Sequence, residues 1–189
     1  MKKNLITAVL MTIATTILLG IIYPLIVTGL AQVIFPRQAN GQLIHNKDGK
    51  IIGSSLIAQG FSGAGYFHPR PSAAGTGYDA TSSGGTNLGP TNQKLMDRVT
   101  ADVATAQAEN PGKPVPADMV TTSASGLDPD ITPASAEFQV PRIAKARGMS
   151  EDAVRAIVAQ HTQGRQWGFF GEPRVNVLEL NLGLDSASR

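Results

Sequence analysis

The chain opens with an apolar block unlike anything that follows it. From Asn4 to Pro36 there are 33 consecutive uncharged residues, and Leu5–Phe35 is mostly Leu, Ile, Val and Ala. A membrane-spanning helix needs about 20 apolar residues. As a helix, Leu5–Phe35 would reach roughly 46 Å, enough to cross with tilt and project beyond the lipid. The pattern predicts a membrane anchor over residues 1–36, with the span at about 5–35. Pro24 lies inside it, lacks a backbone donor and predicts a kink. A signal peptide cut near Ala31 is the rival reading, but an apolar signal region runs only about 7–15 residues. One face carries Ala8, Thr12, Thr16 and Gly20 at four-residue steps. Helices in lipid approach closely over such small side chains, so the stripe is a candidate helix–helix interface. Small residues are also common in spanning helices without that role.

Past Pro36 the periods are mixed. Leu43-Ile44 and Ile51-Ile52 flank the polar turn Asn46-Lys47-Asp48-Gly49, which predicts a hairpin that Ser54–Ala58 could extend. Residues 59–90 show neither helical nor strand period. Nine glycines fall between Gly53 and Gly89, interleaved with Phe61, Tyr66, Phe67 and Tyr78. So long a loop in a compact domain is usually functional or disordered, and aromatic anchors argue for an ordered binding loop. Its candidate partner-docking residues are Tyr66, Phe67, Arg70, Ser72, Tyr78, Ser83, Gly84, Gly85 and Asn87. A helix follows Thr91 or Asn92 and runs to about Ala108, with Leu95, Val99, Val103 and Ala106 on one face. Residues 111–126 read as connection. Thr132 caps the next helix, with Pro133 at its first position; Pro141 bends or splits it and Gly148 closes it. Ser150 caps another, with Val154, Ile157, Val158 and His161 inward. Arg174–Leu182 alternates, placing Leu178, Leu180 and Leu182 on one side, and predicts a strand. The fold class is a single N-terminal transmembrane helix plus a small α+β extracytoplasmic domain over residues 37–189.

Charge narrows the function. Lys2 and Lys3 are the only charged residues before Arg37, so the remaining chain holds 14 basic and 14 acidic residues. Such a balanced domain lacks the clustered charge that nucleic acid requires. Zero cysteine excludes disulfides, thiolate zinc sites and cysteine nucleophiles. The basic residues flanking the span are nearly balanced, and large trailing domains translocate largely regardless of charge. That favours a cytoplasmic N-terminus and an extracytoplasmic domain.

Familiar chemistry is hard to find. No Walker loop or nucleophile elbow is present. Gly75-Thr76-Gly77-Tyr78-Asp79-Ala80 loosely matches a dinucleotide fingerprint, but without the strand–turn–helix context it reads as a turn. His45, His68 and His161 lack metal-ligand spacing, and His161 continues an apolar face. Asp128-Pro129-Asp130 fits the approach to a helix better than acid–base work. Arg70, between two prolines, offers either a guanidinium fork for a carboxylate or a clamp on its own loop. Ser83-Gly84-Gly85 resembles the Ser-Gly-Gly grip of ABC-type ATPases on nucleotide, yet an extracytoplasmic loop would meet no ATP. No catalytic residue and no metal ligand is nominated. On the residues alone, a membrane-anchored extracytoplasmic hydrolase and a secreted binding protein stay open beside a non-catalytic subunit.

Longer blocks narrow this further. Gly65-Tyr66-Phe67-His68-Pro69-Arg70-Pro71-Ser72-Ala73 and Ser83-Gly84-Gly85-Thr86-Asn87-Leu88-Gly89-Pro90-Thr91-Asn92 resemble the central signature of the KdpC family, the C subunits of bacterial potassium-transporting Kdp ATPases. Ser125–Pro133, Gln139–Gly148 and Pro173–Asn181 resemble its later blocks, so the resemblance covers almost the whole chain. It implies a subunit of a high-affinity, ATP-driven potassium importer in the bacterial inner membrane. The implied partners are a channel-like potassium-binding A subunit, a P-type ATPase B subunit and a small F subunit. The implied role is assembly, stabilisation and catalytic chaperoning that raises the ATPase subunit's affinity for ATP. The chain lacks the Asp-Lys-Thr-Gly-Thr phosphorylation motif. ATP and potassium would therefore be handled by the complex, with no cofactor bound directly here.

Overall fold

The structure, a computed structural model, describes residues 1–187. It divides into two compact units, one from Met1 to Ile44 and one beginning at His45. The first unit is built on α1 (Lys2–Ile17), a π-helical stretch (Leu18–Ile22) and α2 (Tyr23–Ile34). Together they make one helix long and apolar enough to cross a membrane. Where a proline kink was expected, the structure shows that π-helical stretch. Pro24 has no N–H for the Gly20 carbonyl, and its ring would crowd that oxygen. The turn before it widens instead, and the Tyr23 N–H reaches back five residues to the Leu18 carbonyl. A short α3 (Pro36–Ala39) follows.

Around residues 43–54 the sequence reading holds. β1 (Leu43–His45) and β2 (Ile51–Ser54) flank the turn. The Asn46 N–H donates to the Lys50 carbonyl at 2.9 Å, and Gly49 supplies the positive φ of 77° the turn requires. Strand structure stops at Ser54, short of Ala58.

The second unit folds around two helices that their caps announce. Thr132 Oγ1 accepts from the Ser135 N–H at 3.1 Å and opens α5 (Pro133–Arg147). Gly148, in the left-handed conformation with φ 65°, closes it. Ser150 Oγ accepts from Ala153 and opens α6 (Glu151–His161). Of the two outcomes the sequence offered for Pro141, splitting α5 does not occur. An interior proline costs about 3 kcal/mol, but burial of Phe138, Val140 and Ile143 on the adjoining turns is worth about 1.5–3 kcal/mol each. Burial wins, and the helix runs through.

Outside this pair, α4 (Gln93–Glu109) starts where expected, with the Asn92 side chain accepting from the Lys94 N–H. Of its expected inner face only Ala106 is buried. The connection after α4 contains one 3-10 turn, Ala117–Met119.

Three short strands complete the unit. β3 (Asp130–Ile131), β4 (Thr162–Gln163) and β5 (Arg174–Asn176) form an antiparallel sheet in the order β3-β5-β4. Ile131 and Thr162 both face Val175 across the ladders. The strand expected over Arg174–Leu182 ends at Asn176. From Val177 to Ala187 the chain is α7. The alternating Leu178, Leu180 and Leu182 misled, because Val177, Leu180, Asn181 and Leu184 share the buried helical face. The missed signal is Asn176-x-x-Glu179, whose Asn176 Oδ1 accepts from the Glu179 N–H at 3.1 Å. Close packing of α7 on α6 is fixed by Gly183, where a Cβ would stand 2.6 Å from the His161 ring. His161 is half-buried, its Nδ1 2.9 Å from the Ile157 carbonyl. That is a boundary role, as its apolar face suggested.

Candidate functional site

Between Ser54 and Gln93 the chain forms neither helix nor strand, so its backbone needs partners from elsewhere. Side chains of α5 and α7 supply them. Phe67 is fully buried among Ile131, Val140, Ile143, Val175 and Leu180. Asn181 Oδ1 accepts from the Phe67 N–H at 2.8 Å, and Asn181 Nδ2 donates to the Phe67 carbonyl at 3.0 Å. Gln139 repeats the arrangement on the next residue, accepting from the His68 N–H at 2.8 Å and donating to its carbonyl at 3.2 Å. Two buried amides thus grip consecutive loop residues as a neighbouring strand would.

Two guanidinium groups extend the grip. Arg142 Nη1 donates to the carbonyls of Ala64 (2.6 Å) and Tyr66 (3.0 Å), while its Nε pairs with Glu109 at 3.1 Å. Burial holds the Arg142 pKa below its ordinary value, against the pull of Glu109. Arg147 donates to the Gly65 carbonyl, pairs with Asp185 at 2.8 Å, and lies 4.7 Å from the centre of the Tyr66 ring. Tyr66 in turn donates its hydroxyl to Asp185.

The following part of the loop is tied to residues 121–128. Arg70 pairs with Asp128 at 2.8 Å and also reaches the Thr121 carbonyl. Its guanidinium meets a carboxylate, but one of its own domain, and ties the loop to residues outside it. Tyr78 donates its hydroxyl to the Arg70 carbonyl at 2.8 Å. Ser72 Oγ donates to the Gly126 carbonyl at 2.6 Å and accepts from the Tyr78 N–H at 2.8 Å. Gly75–Tyr78 is a turn, and the dinucleotide context is missing, as read from sequence.

The Ser-Gly-Gly segment is engaged internally as well. Ser83 Oγ and the Gly84 N–H both donate to the Ser125 carbonyl, at 3.0 and 2.9 Å. Gly126 sits at φ +67°, where a Cβ would come within 2.6 Å of Ala74 N and the Gly84 carbonyl. Gly85 lies against the Ala124 backbone. Phe67 therefore anchors the loop from inside and offers no outer face. Tyr66, Arg70, Ser72, Tyr78, Gly84 and Gly85 are half-buried, and Ser83 and Asn87 are exposed. The small-residue stripe keeps its register on the first unit. Thr12 Oγ1 donates to the Ala8 carbonyl at 2.9 Å, and a Cβ on Gly20 would meet Thr16 Cγ2 at 3.9 Å. All four stripe residues are exposed.

Beside the loop lies an open cleft of about 340 Å³ lined by Phe61, His68, Tyr78, Asp102, Glu109 and Asp118. Its carboxylates already have partners. Asp102 pairs with Arg98, Glu109 with Arg142, and Asp118 accepts from Thr132 and Ser135. Burial and the nearby Arg142 charge lower the His68 pKa from its usual 6.5, and its Nε2 lies 3.2 Å from the Gly63 carbonyl. The arrangement orders a loop. The gripping residues Gln139, Asn181, Arg142 and Arg147 were not singled out in the sequence. Polar residues on otherwise buried helical faces were the available signal.

The family described as "KdpC: K+-transporting ATPase, c chain" matches residues 5–186. A potassium-transporting ATPase KdpC subunit of Koribacter versatilis is 68% identical over 185 residues, covering 98% of this chain and 95% of the relative. The KdpC subunit of Acidobacterium capsulatum is 62% identical, covering 97% and 98%. That of Caulobacter vibrioides is 58% identical, covering 90% and 87%. With nearly all of the apolar helix, the gripped loop and the later blocks inside the matched range, the chain belongs to the KdpC family.

Proposed function

We propose that this chain is a non-catalytic accessory subunit of a potassium-transporting ATPase in the bacterial inner membrane. It assembles and stabilises a complex of a channel-like potassium-binding A subunit, a P-type ATPase B subunit and a small F subunit. The N-terminus is cytoplasmic, the helix over residues 2–34 spans once, and the domain lies outside the cytoplasm. The observation that carries this reading is the loop itself. Its polar groups are spent on holding one shape against α5 and α7, which suits a rigid docking surface better than a reaction site. The name of the relatives, KdpC subunit, supplies the partner complex.

The chaperone effect on ATP fits this topology only as an indirect one. A subunit that binds one conformational state of the pump more tightly shifts the equilibrium towards it. Coupling of about 1–3 kcal/mol, the usual range, changes an affinity roughly 5- to 150-fold. The exposed edge of the loop, Ser83 and Asn87 included, docks on the A subunit, and the small-residue stripe packs against partner helices.

Because the chain contains no cysteine, Lys113→Cys, exposed and outside the docking loop, gives a single reporter. In intact cells a membrane-impermeant maleimide should label it without permeabilisation, and the labelled chain should co-purify with the pump. Labelling confined to inverted vesicles would defeat the topology and return direct nucleotide contact to consideration.

A further inference from the structure

Between β4 and β5 the chain projects a tip that none of the foregoing uses. Trp167, Phe169 and Phe170 are 85%, 63% and 53% exposed. They touch one another: the rings of Phe169 and Phe170 lie 4.3 Å apart, and those of Trp167 and Phe170 5.9 Å. The tip has a defined shape. Gln166 and Phe170 exchange two backbone hydrogen bonds, each 2.9 Å, and Arg165 closes the base on Glu172 at 2.6 Å. Trp167 is held at φ +51°, a strained setting for a bulky side chain. Strain that leaves three aromatic rings in water gains nothing within this chain, so what it prepares lies outside.

We infer that the Trp167–Phe170 tip is an anchor that inserts into an apolar, uncharged cleft on another subunit of the same transport complex. Buried aromatics, tryptophan above all, dominate binding hot spots. Charge selects this partner over a lipid surface: the tip's only charged residues are Arg165 and Glu172, and they neutralise each other. Membrane-seeking segments instead add unpaired Lys or Arg to their aromatics. Size selects it over a second copy of the chain. Three such side chains offer roughly 400 Å², against about 800 Å² per partner in a stable interface. The tip is thus too small to hold a dimer alone, but sufficient as the centre of an interface whose other parts come from the rest of the subunit. The inference rests on the proposed role as a complex subunit and adds the residues that make the contact.

The test uses the full-length chain expressed with its complete pump. Phe169→benzoylphenylalanine, irradiated in membranes, should yield an adduct that mass spectrometry identifies as containing another pump subunit. The same probe at exposed Lys47 serves as control and should yield none. Trp167→Ser with Phe169→Ser should lower retention of the chain on the detergent-solubilised pump by about tenfold or more, as loss of a hot spot does, with its thermal unfolding unchanged. Adducts only with lipid, only with a second copy, or absent overturn the inference when the wild-type chain remains assembled. So does wild-type retention of the double variant. If the wild-type chain itself fails to co-purify, the subunit role falls and this inference with it.

Discussion

At the scale of single residues, two amides matter more than their number suggests. Asn181 and Gln139 are almost completely buried, each satisfying both backbone groups of one loop residue. Removing one side chain strands a buried N–H and a buried carbonyl together, and each such group costs about 1–3 kcal/mol. Asn181→Ala should therefore destabilise the domain by about 2–6 kcal/mol, read by denaturant unfolding of the detergent-solubilised chain. A loss below about 1 kcal/mol would mean that water or a shifted side chain replaces the grip. Glycine acts in the opposite manner at Gly126, where the absence of a Cβ lets three backbone segments meet. Both devices solve one problem: a stretch without regular structure must still satisfy its polar backbone.

At the scale of elements, the long N-terminal helix combines a uniform apolar surface with one local departure. The π-helical stretch before Pro24, Leu18–Ile22, contains the last residue of the small-residue stripe, Gly20. Stripe residues Ala8, Thr12, Thr16 and Gly20 carry no large side chain to hold a neighbouring helix at a distance. Thr16→Leu with Gly20→Leu should reduce co-purification with the other pump subunits, while membrane insertion stays at the wild-type level because hydrophobicity rises. Undiminished assembly in that double variant would remove the stripe as an interface. In the second unit, α7 shows how an element's type follows its neighbours. Leucines at alternate positions suit a strand, yet the Asn176 cap and the crossing of α6 at Gly183 turn the segment into a helix.

At the scale of the whole molecule, pH bears on stability through groups of opposite sign. Burial lowers the His68 pKa, so the fold prefers the neutral ring. The unfolded chain then binds more protons below about pH 6.5, and stability is lost as pH falls through the folded value. Burial raises the Asp130 pKa, outweighing Arg174. Its contribution is complete below the ordinary carboxylate value and is lost as pH rises through the raised one. His68→Gln should flatten the fall in unfolding free energy between about pH 7.5 and 5.5. An unchanged slope in that variant would assign the fall to other groups. Charge balance at this scale also explains the docking logic. A domain with 14 basic and 14 acidic residues from Arg37 onward has little net field to recruit a partner, so the proposed docking rests on shape and apolar anchors.

The long N-terminal apolar helix, the turn at 46–49, the helix caps at Asn92, Thr132 and Ser150 and the glycine stop at Gly148 were all legible in the sequence. Each depends on residues within a few positions of one another, and local hydrogen bonding or hydropathy decides them. The irregular loop and its aromatic anchors were legible for the same reason: glycine density and missing period are local properties. The grip on that loop was not, since Asn181 reaches Phe67 across 114 residues and Gln139 reaches His68 across 71. The unbroken run of α5 through Pro141, the helical course of Val177–Ala187 and the outward tip at Trp167 are likewise tertiary outcomes. In each, burial or its absence, set by distant segments, outweighs or reveals what local preference alone leaves undecided.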